Sequence, residues 1–343
     1  MNGVWQARLL DAWMRRGWLA CLLWPLSVLF GRLVALRHWC YRSGVFTTHQ
    51  VGVPVIVVGN VVAGGAGKTP VVIALVQHLQ AQGWTVGVVS RGYGRSSRDC
   101  HEVQTGSQPE DVGDEALLIH RRTGASVVVG RSRVEAARTL LKSSPQTQVI
   151  VSDDGLQHLA LGRLLEICVF DDRGCGNGFL LPAGPLREPW PREPLVQPNS
   201  TPATQWVLHT GAQPRFAGHR ALRRLADDGV RADGSRVPLT ELAQQATETM
   251  TPVVALAGIA RPEVFFDQLR ALGLPLTTTL ALPDHYDFNS WERPPDKRQW
   301  LICTEKDAVK LWRHAPDAVA VPLEVELDPH LVSALLERVS AAL

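Results

Sequence analysis

The chain has 343 residues, of which 45% are hydrophobic and 20% are charged. This composition is typical of a folded protein with a sizeable core, and the length allows one large domain and a smaller one. The net charge of +2 gives no overall reason to expect a nucleic-acid partner. The six cysteines are scattered without a C-x-x-C pair, which argues against a zinc site or a disulfide framework and indicates a reducing compartment.

Residues 1–45 combine an apolar stretch with basic flanks. The segment from Gly17 to Gly31 carries no charge and lies between Arg16 and Arg32. This segment is shorter than the ~20 residues that a membrane-spanning helix needs, and it contains a proline. Tryptophan and arginine are both abundant around it, as in helices that lie in the membrane interface. We therefore predict a membrane-associated helix, and the alternative is an ordinary helix packed on the core.

From residue 46 the chain alternates between short apolar strands and helices. The predicted strands are Val53–Val58, Thr85–Val89, Ser126–Val129, Val149–Val151 and Leu165–Phe170, and the predicted helices between them are Pro70–Leu79, Ala116–Arg122 and Val134–Leu141. Strands that alternate with helices indicate a parallel sheet covered by helices on both faces. The sequence thus predicts an α/β domain over residues 46–215.

The pattern changes after this alternation. Asp172–Ser200 is rich in glycine and proline, which predicts a long ordered loop over a site. Polar and apolar residues then alternate around Asp233-Gly234, which predicts a hairpin, and we expect residues 216–250 to link two domains. The predicted elements of a smaller α/β domain over residues 251–343 are the strands Pro252–Ala257 and Leu301–Cys303 and the helices Pro262–Leu272 and Leu331–Val339.

A phosphate-binding loop follows the first predicted strand. Its residues are Gly64, Gly65, Ala66, Gly67, Lys68 and Thr69. Glycines let backbone N–H groups approach phosphate oxygens, and the N-terminus of the next helix adds positive potential. In such a P-loop the lysine reaches the β- and γ-phosphates and the threonine hydroxyl ligates Mg²⁺. We therefore predict a P-loop NTPase-type sheet that binds ATP and Mg²⁺.

Three details narrow the class of P-loop protein. The general pattern G-x-x-x-x-G-K-[ST] has a glycine five residues before Gly67, where this chain has Val62. Ala63 stands where ATPases that position partition complexes or septa carry a lysine, which argues against their dimeric arrangement. The sequence TEKD at 304–307 resembles the guanine-reading pattern [NT]-K-x-D, but its lysine comes one place too late, so GTP specificity is not predicted.

One pair of acids follows a predicted strand, and a second pair precedes a predicted helix. Asp153 and Asp154 close a hydrophobic strand, where they can hold Mg²⁺ opposite Thr69 or, alternatively, cap the next turn. Asp114 and Glu115 precede a predicted helix. There Asp114 is either the N-cap of that helix or a carboxylate facing the nucleotide crevice, and the sequence leaves both interpretations open.

Three further side chains are weaker candidates. His285 lies in the sequence PDHYDF, and a lone histidine is more often structural than catalytic. Arg91 and Arg95 lie in a glycine-rich loop after the second strand. They either contact phosphates of a substrate or nucleotide, or they are solvated loop arginines.

Taken together, these motifs resemble the tetraacyldisaccharide 4′-kinase family, the lipid A kinases of Gram-negative bacteria. The motifs that carry the resemblance, in family order, are VGN at 58–60, GGAGKTP at 64–70, SRGYGR at 90–95, VGDE at 112–115, DDGLQH at 153–158, LPAGPLRE at 181–188, DHY at 284–286 and TEKDAVK at 304–310. They span most of the chain and are far more specific than a P-loop alone. Val62 is not a departure from this family, whose loop is atypical at that position.

The resemblance implies a function and a set of roles. It implies ATP-dependent phosphorylation of the 4′-hydroxyl of an acylated glucosamine disaccharide 1-phosphate at the cytoplasmic face of the bacterial inner membrane. It also implies an N-terminal membrane-associated helix and no required protein or nucleic-acid partner. In this scheme Asp114 is the base, supported by His285, and Mg²⁺ lies between Thr69 and acids drawn from Glu115, Asp153 and Asp154. The rival hypotheses are a membrane-docked P-loop ATPase that recruits a protein partner, and a GTP-binding switch.

Overall fold

The computed structural model describes residues 11–97, 99–193, 203–284, 286–289, 291, 293 and 298–343, and their strands form two sheets. The strands are β1 Val55–Gly59, β2 Val86–Ser90, β3 His101–Glu102, β4 Ser126–Val129, β5 Val149–Asp153, β6 Leu165–Phe170, β7 Thr204–His209, β8 His219–Leu225, β9 Asp228–Val230, β10 Arg236–Pro238, β11 Val253–Ala257, β12 Leu276–Ala281, β13 Trp300–Thr304, β14 Val319–Val321 and β15 Leu323–Leu327. The helices are α1 Trp18–Arg42, α2 Lys68–Ala81, α3 Pro109–Val112, α4 Asp114–Thr123, α5 Arg133–Ser143, α6 Leu239–Glu248, α7 Pro262–Ala271, α8 Glu305–Leu311 and α9 Pro329–Ser340.

The first sheet has nine strands in the order β15-β8-β7-β6-β1-β5-β2-β4-β3. Its strands from β8 to β4 pair in parallel, and the two edge strands, β15 and β3, pair antiparallel. The central strand β1 is buried at every position, as expected for an apolar strand covered on both faces. In the register of β1 with β5, Val58 pairs with Asp153, so the P-loop and this acid leave the sheet side by side.

Helices cover both faces of this sheet, as predicted. One apolar core joins the sheet to α2, α4 and α9, and a second core on the other face includes α5 and the loop around Leu186. The predicted strands and helices of residues 46–170 are all present, with ends that differ by a few residues. The α/β fold with a P-loop-type sheet is therefore confirmed.

The second sheet has six strands in the order β10-β9-β14-β13-β11-β12, with an apolar core on each face. The predicted turn at Asp233-Gly234 joins β9 to β10, and Gly234 adopts the positive φ of 84° that such a turn requires. The strands do not divide between the sheets at the predicted boundaries. The strand β8 belongs to the first sheet and the β9–β10 hairpin to the second, whereas β15 returns to the first sheet and α9 packs on its core. The domain boundaries at 216 and 251 stay a prediction.

The N-terminal helix α1 is longer than the uncharged stretch from which it was predicted. It runs for 25 residues from Trp18 to Arg42 without stopping at Pro25 or Arg32. By length and composition alone it could cross a membrane, and only 11% of its most apolar 18-residue stretch is buried inside the protein. The expectation that this segment is too short to span was wrong, because apolar residues continue beyond Arg32. The small buried fraction also disfavours a helix packed wholly into the core.

Candidate active site

A cleft of about 890 Å³ opens at the carboxyl edge of the first sheet and reaches the second. One wall carries the P-loop, Asp153 and Asp154, and the facing wall carries residues 259–261 and side chains of α7 and α8. The volume falls in the range of sites that hold a nucleotide-sized ligand. The two sheets thus share one site.

The P-loop has the geometry needed to hold phosphates. Gly64 and Gly67 have φ angles of 95° and 74°, which a side chain would strain. Gly67 is the N-cap residue of α2, and no side chain in the described part of the chain caps the helix there. The first turn of α2 therefore presents its backbone N–H groups, together with Lys68 and the buried Thr69, at the cleft.

Two side chains outside the P-loop donate hydrogen bonds to its backbone carbonyls. Arg173 donates to the carbonyl of Gly65 at 3.0 Å and is itself held by Asp171 at 2.9 Å. The hydroxyl of Thr210 donates to the carbonyl of Ala66 at 3.2 Å. No sequence pattern singles out Arg173 or Thr210, since each follows a different strand and reaches the P-loop only through the fold.

The structure explains why Val62 replaces the usual first glycine of the P-loop. Val62 is buried in the apolar core on one face of the sheet, and its N–H donates to the side chain of Asn60 at 2.8 Å. The next residue, Ala63, donates its N–H to the carbonyl of Pro185 at 2.7 Å. The chain therefore turns at Asn60 and packs against the long loop, and an apolar side chain suits this position better than glycine.

Asp153 has the environment of a metal ligand. It is almost fully buried, and Ser90 donates to its Oδ2 at 3.0 Å. Its Oδ1 has no hydrogen-bond partner among the described residues. The pKa of Asp153 is raised to about 7, mainly by burial and also by the nearby carboxylates of Glu115 and Asp154. A buried carboxylate oxygen that no described residue hydrogen-bonds, in the same cleft as the P-loop threonine, fits Mg²⁺, which prefers oxygen ligands.

Asp154 is held by two cations. Its carboxylate accepts from Arg187 at 3.2 Å and lies 3.5 Å from Nζ of Lys68. Burial opposes its ionisation, but Lys68 and Arg187 together lower its pKa below the usual value. Asp154 therefore stays ionised and orients the P-loop lysine. Of the predicted metal-binding acids, Asp153 has a buried carboxylate oxygen that no described residue hydrogen-bonds, while Glu115 also lines the cleft.

Asp114 is the first residue of α4, and the N-cap position belongs to Gly113. The interpretation of Asp114 as an N-cap is therefore wrong. Its side chain is buried, and Nζ of Lys310 on α8 lies 2.7 Å from its Oδ2. His285, predicted to support it, lies outside the described residues. The residue before it, Asp284, accepts from Lys306 of α8 at 2.7 Å.

The two loop arginines have different surroundings. Arg91 lines the cleft, whereas Arg95 donates to the backbone carbonyl of Asp99. Gln157 and His158, which the sequence singled out only through the family motif, also line the cleft. Burial and nearby arginines lower the pKa of His158 to about 3, so that its ring is neutral near pH 7.

Comparison with known proteins agrees with this geometry. The sequence model of the family "Tetraacyldisaccharide-1-P 4'-kinase" matches residues 19–340. The chain belongs to this family. A tetraacyldisaccharide 4′-kinase from Acidovorax sp. (strain JS42) is 55% identical over 336 residues, covering 97% of this chain and 95% of the relative. One from Polaromonas naphthalenivorans (strain CJ2) is 57% identical over 332 residues, covering 95% of this chain and 93% of the relative.

A solved structure of the same family has the same fold. The crystal structure of LpxK from Aquifex aeolicus in complex with ATP superposes with a TM-score of 0.77 at 26% identity, covering 94% of this chain and 99% of that chain. Membership of the tetraacyldisaccharide 4′-kinase family makes this chain a kinase. The rival hypothesis of an ATPase that recruits a partner is not favoured.

Proposed function

We propose that this kinase transfers the γ-phosphate of ATP to the 4′-hydroxyl of a tetraacylated glucosamine disaccharide 1-phosphate, at the cytoplasmic face of the bacterial inner membrane. The observation that carries the proposal is the cleft itself, where a P-loop meets a buried acid with one oxygen that no described residue hydrogen-bonds. The apolar helix α1 contacts Gln157, a residue that lines the same cleft, and gives a lipid acceptor a surface from which to enter.

The nucleotide is held mainly by the P-loop. The backbone N–H groups of residues 64–69 and the ammonium of Lys68 bind the β- and γ-phosphates. The hydroxyl of Thr69, with Asp153 and the flanking acids Glu115 and Asp154, would hold Mg²⁺. When bound, Mg²⁺ neutralises charge on the phosphates. Because the transition state of phosphoryl transfer is loose, positioning and charge neutralisation by these residues account for most of the catalysis.

Asp114 is the residue we assign as the base, oriented by His285. In this role its carboxylate accepts the proton of the sugar hydroxyl as the oxygen attacks the γ-phosphorus. The assignment is supported by the burial of Asp114 and by its neighbour Glu115, which lines the cleft. It is also supported by Lys310, which contacts both Asp114 and the carbonyl of Tyr286.

The acceptor reaches the cleft from the side of α1. Arg37 on α1 donates to the carbonyl of Gln157 at 2.7 Å, and the side chain of Gln157 lines the cleft. The same helix is bound to the long loop, since Ser27 donates to the carbonyl of Leu180 at 2.8 Å. A lipid whose acyl chains lie along α1 therefore presents its sugar next to the P-loop. Neither a protein partner nor nucleic acid is needed for this arrangement.

The proposal is tested by mass spectrometry of a tetraacylated disaccharide 1-phosphate incubated with the protein, ATP and Mg²⁺. We expect one added phosphate, located on the 4′-oxygen by fragmentation, and none when the metal is chelated. An acceptor that lacks the 4′-hydroxyl should stay unmodified. Addition of phosphate to that deoxy acceptor, or no addition to the intact one by a folded protein, would refute the assignment.

A further inference from the structure

Three ion pairs join the first-sheet helices α3 and α4 to α8 and the turn after it. In order they are Arg122 with Glu305, Asp114 with Lys310, and Glu110 with Arg313, at closest N–O distances of 2.6, 2.7 and 2.8 Å. Each pair places opposite charges on opposite sides of one interface. The middle pair is the one that includes the residue we assign as the base.

The pair between Asp114 and Lys310 is more buried than its neighbour. The side chains of Lys310 and Asp114 are 12% and 7% exposed, whereas those of Arg313 and Glu110 are 36% and 51% exposed. An exposed pair contributes little, because water and salt screen it. A buried charge must be paired, and its partner therefore determines where it lies.

Lys310 stands on an element whose position is itself well determined. At the start of α8, Asp307 accepts from the backbone N–H of Gly258 at 2.9 Å and from the hydroxyl of Thr304 at 2.6 Å. These bonds tie α8 to the carboxyl end of β11 in the second sheet. Nζ of Lys310 also lies 3.4 Å from the carbonyl of Tyr286. One ammonium thus connects the second sheet, the loop at Tyr286 and the carboxylate of Asp114.

We propose that Lys310 is a positioning residue for phosphoryl transfer, and that it holds the carboxylate of Asp114 in the orientation in which Asp114 acts as the base. The inference rests on the proposed function of Asp114. An ammonium bound to one oxygen of a carboxylate restricts the rotation of the whole group, and so directs the other oxygen. Because Lys310 is on α8, which is tied to the second sheet, the relative position of the two sheets determines whether the base is aligned.

The test compares Lys310→Met, Lys310→Arg and Arg313→Ala, with kcat, KM for ATP and the melting temperature measured for each. Lys310→Met should lower kcat by about 10- to 100-fold, as misplacement of a catalytic group does, with KM for ATP within about twofold. Lys310→Arg keeps a cation near Asp114 and should recover part of the loss. Arg313→Ala removes the exposed pair of the same interface and should leave kcat unchanged.

A double mutant separates positioning from a general loss of structure. In an Asp114→Ala background, Lys310→Met should lower kcat little further, because two residues that act as one unit are not additive. Multiplied losses, or an equal loss of kcat in Arg313→Ala, would overturn the inference. If Lys310→Met does not fold, the comparison of kcat between Lys310→Gln and Lys310→Arg decides instead. The inference expects the arginine variant to have the higher kcat.

The same variants distinguish failure of this inference from failure of the proposed base. Normal kcat for Lys310→Met beside an inactive Asp114→Ala would overturn the role of Lys310 alone. Normal kcat for Asp114→Ala would remove Asp114 as the base and the role of Lys310 with it.

Discussion

At the scale of single residues, the two adjacent acids of the site differ in how far neighbouring charges compensate them. Asp154 has two cations beside it and a lowered pKa, whereas its neighbour Asp153 is buried with one oxygen unpartnered among the described residues and has a raised pKa. The two adjacent carboxylates therefore have different roles. Asp154 orients Lys68, and Asp153 is the acid whose charge an added divalent cation would compensate.

This difference predicts the effect of Asp153→Asn. The amide keeps the shape of the side chain but removes the charge. We therefore expect the Mg²⁺ concentration that gives half-maximal activity to rise by about tenfold or more. The melting temperature should be equal or higher, because burial disfavours the charged form of Asp153. Titration of activity against Mg²⁺ measures the first effect and calorimetry the second.

The matched control is Asp317→Asn, which removes a carboxylate paired with Arg293 and not part of the cleft. It should leave the Mg²⁺ requirement unchanged. An unchanged Mg²⁺ requirement in Asp153→Asn as well would exclude Asp153 from the metal site.

The residues of the P-loop were predictable from sequence, because they are consecutive in the chain and form one continuous loop. Arg173 and Lys310 were not, because each acts from a distant part of the chain. The residues alone leave Asp114 as either a cap or a functional group, since an acid before a helix is as often one as the other, and only the family motif assigns it as the base. The structure decides against the cap by placing Gly113 there.

At the scale of elements, α1 is distinguished by its exposed apolar face. Its exposed large side chains include Trp18, Leu22, Leu26, Leu29 and Leu33, each more than half exposed. They recur at a spacing of three or four residues, which places them along one side of a helix. The polar contacts of α1 to the loop around Leu180 lie elsewhere on the helix. The apolar side is therefore available for lipid.

We predict that Leu22→Glu combined with Leu29→Glu detaches the protein from membranes. Charges on an apolar face remove buried area from the lipid contact, and the bound fraction should fall by about tenfold or more. Co-flotation with vesicles that contain anionic lipid measures this fraction. Met250→Glu introduces a glutamate at an exposed methionine of the second sheet's unit and should leave binding unchanged. Equal flotation of both variants would show that α1 does not hold the protein to lipid.

At the scale of the whole molecule, the two sheets act together through one cleft. The half-buried ion pair between Arg122 on α4 and Glu305 on α8 joins the two units at 2.6 Å on the side of the cleft, and β15 runs from the second sheet back to the first. A chain that crosses between the sheets and then adds α9 to the first core limits how freely they can move apart. We infer that ligand binding adjusts the cleft without separating the two sheets.

The alternation of strands and helices predicted the layers of the first sheet, because apolar strands that are buried on both faces have a recognisable sequence. The return of β15 could not be predicted in this way. The residues Leu323–Leu327 follow β14 after a single residue, and nothing in their pattern distinguishes pairing with β14 from pairing with β8. The length of α1 is not predictable from its uncharged stretch for a related reason, since Arg32 ends that stretch but not the helix.

The most direct test of the account is ATP turnover with and without the acylated disaccharide acceptor. A kinase in which the sugar hydroxyl is the nucleophile should turn over ATP at least about tenfold faster with the acceptor present, because only then is a nucleophile held in line. Lys68→Ala should be inactive in both conditions, since a methyl group cannot replace an ammonium at the phosphates. ATP turnover by the unmodified protein at the same rate with and without the acceptor would contradict the account.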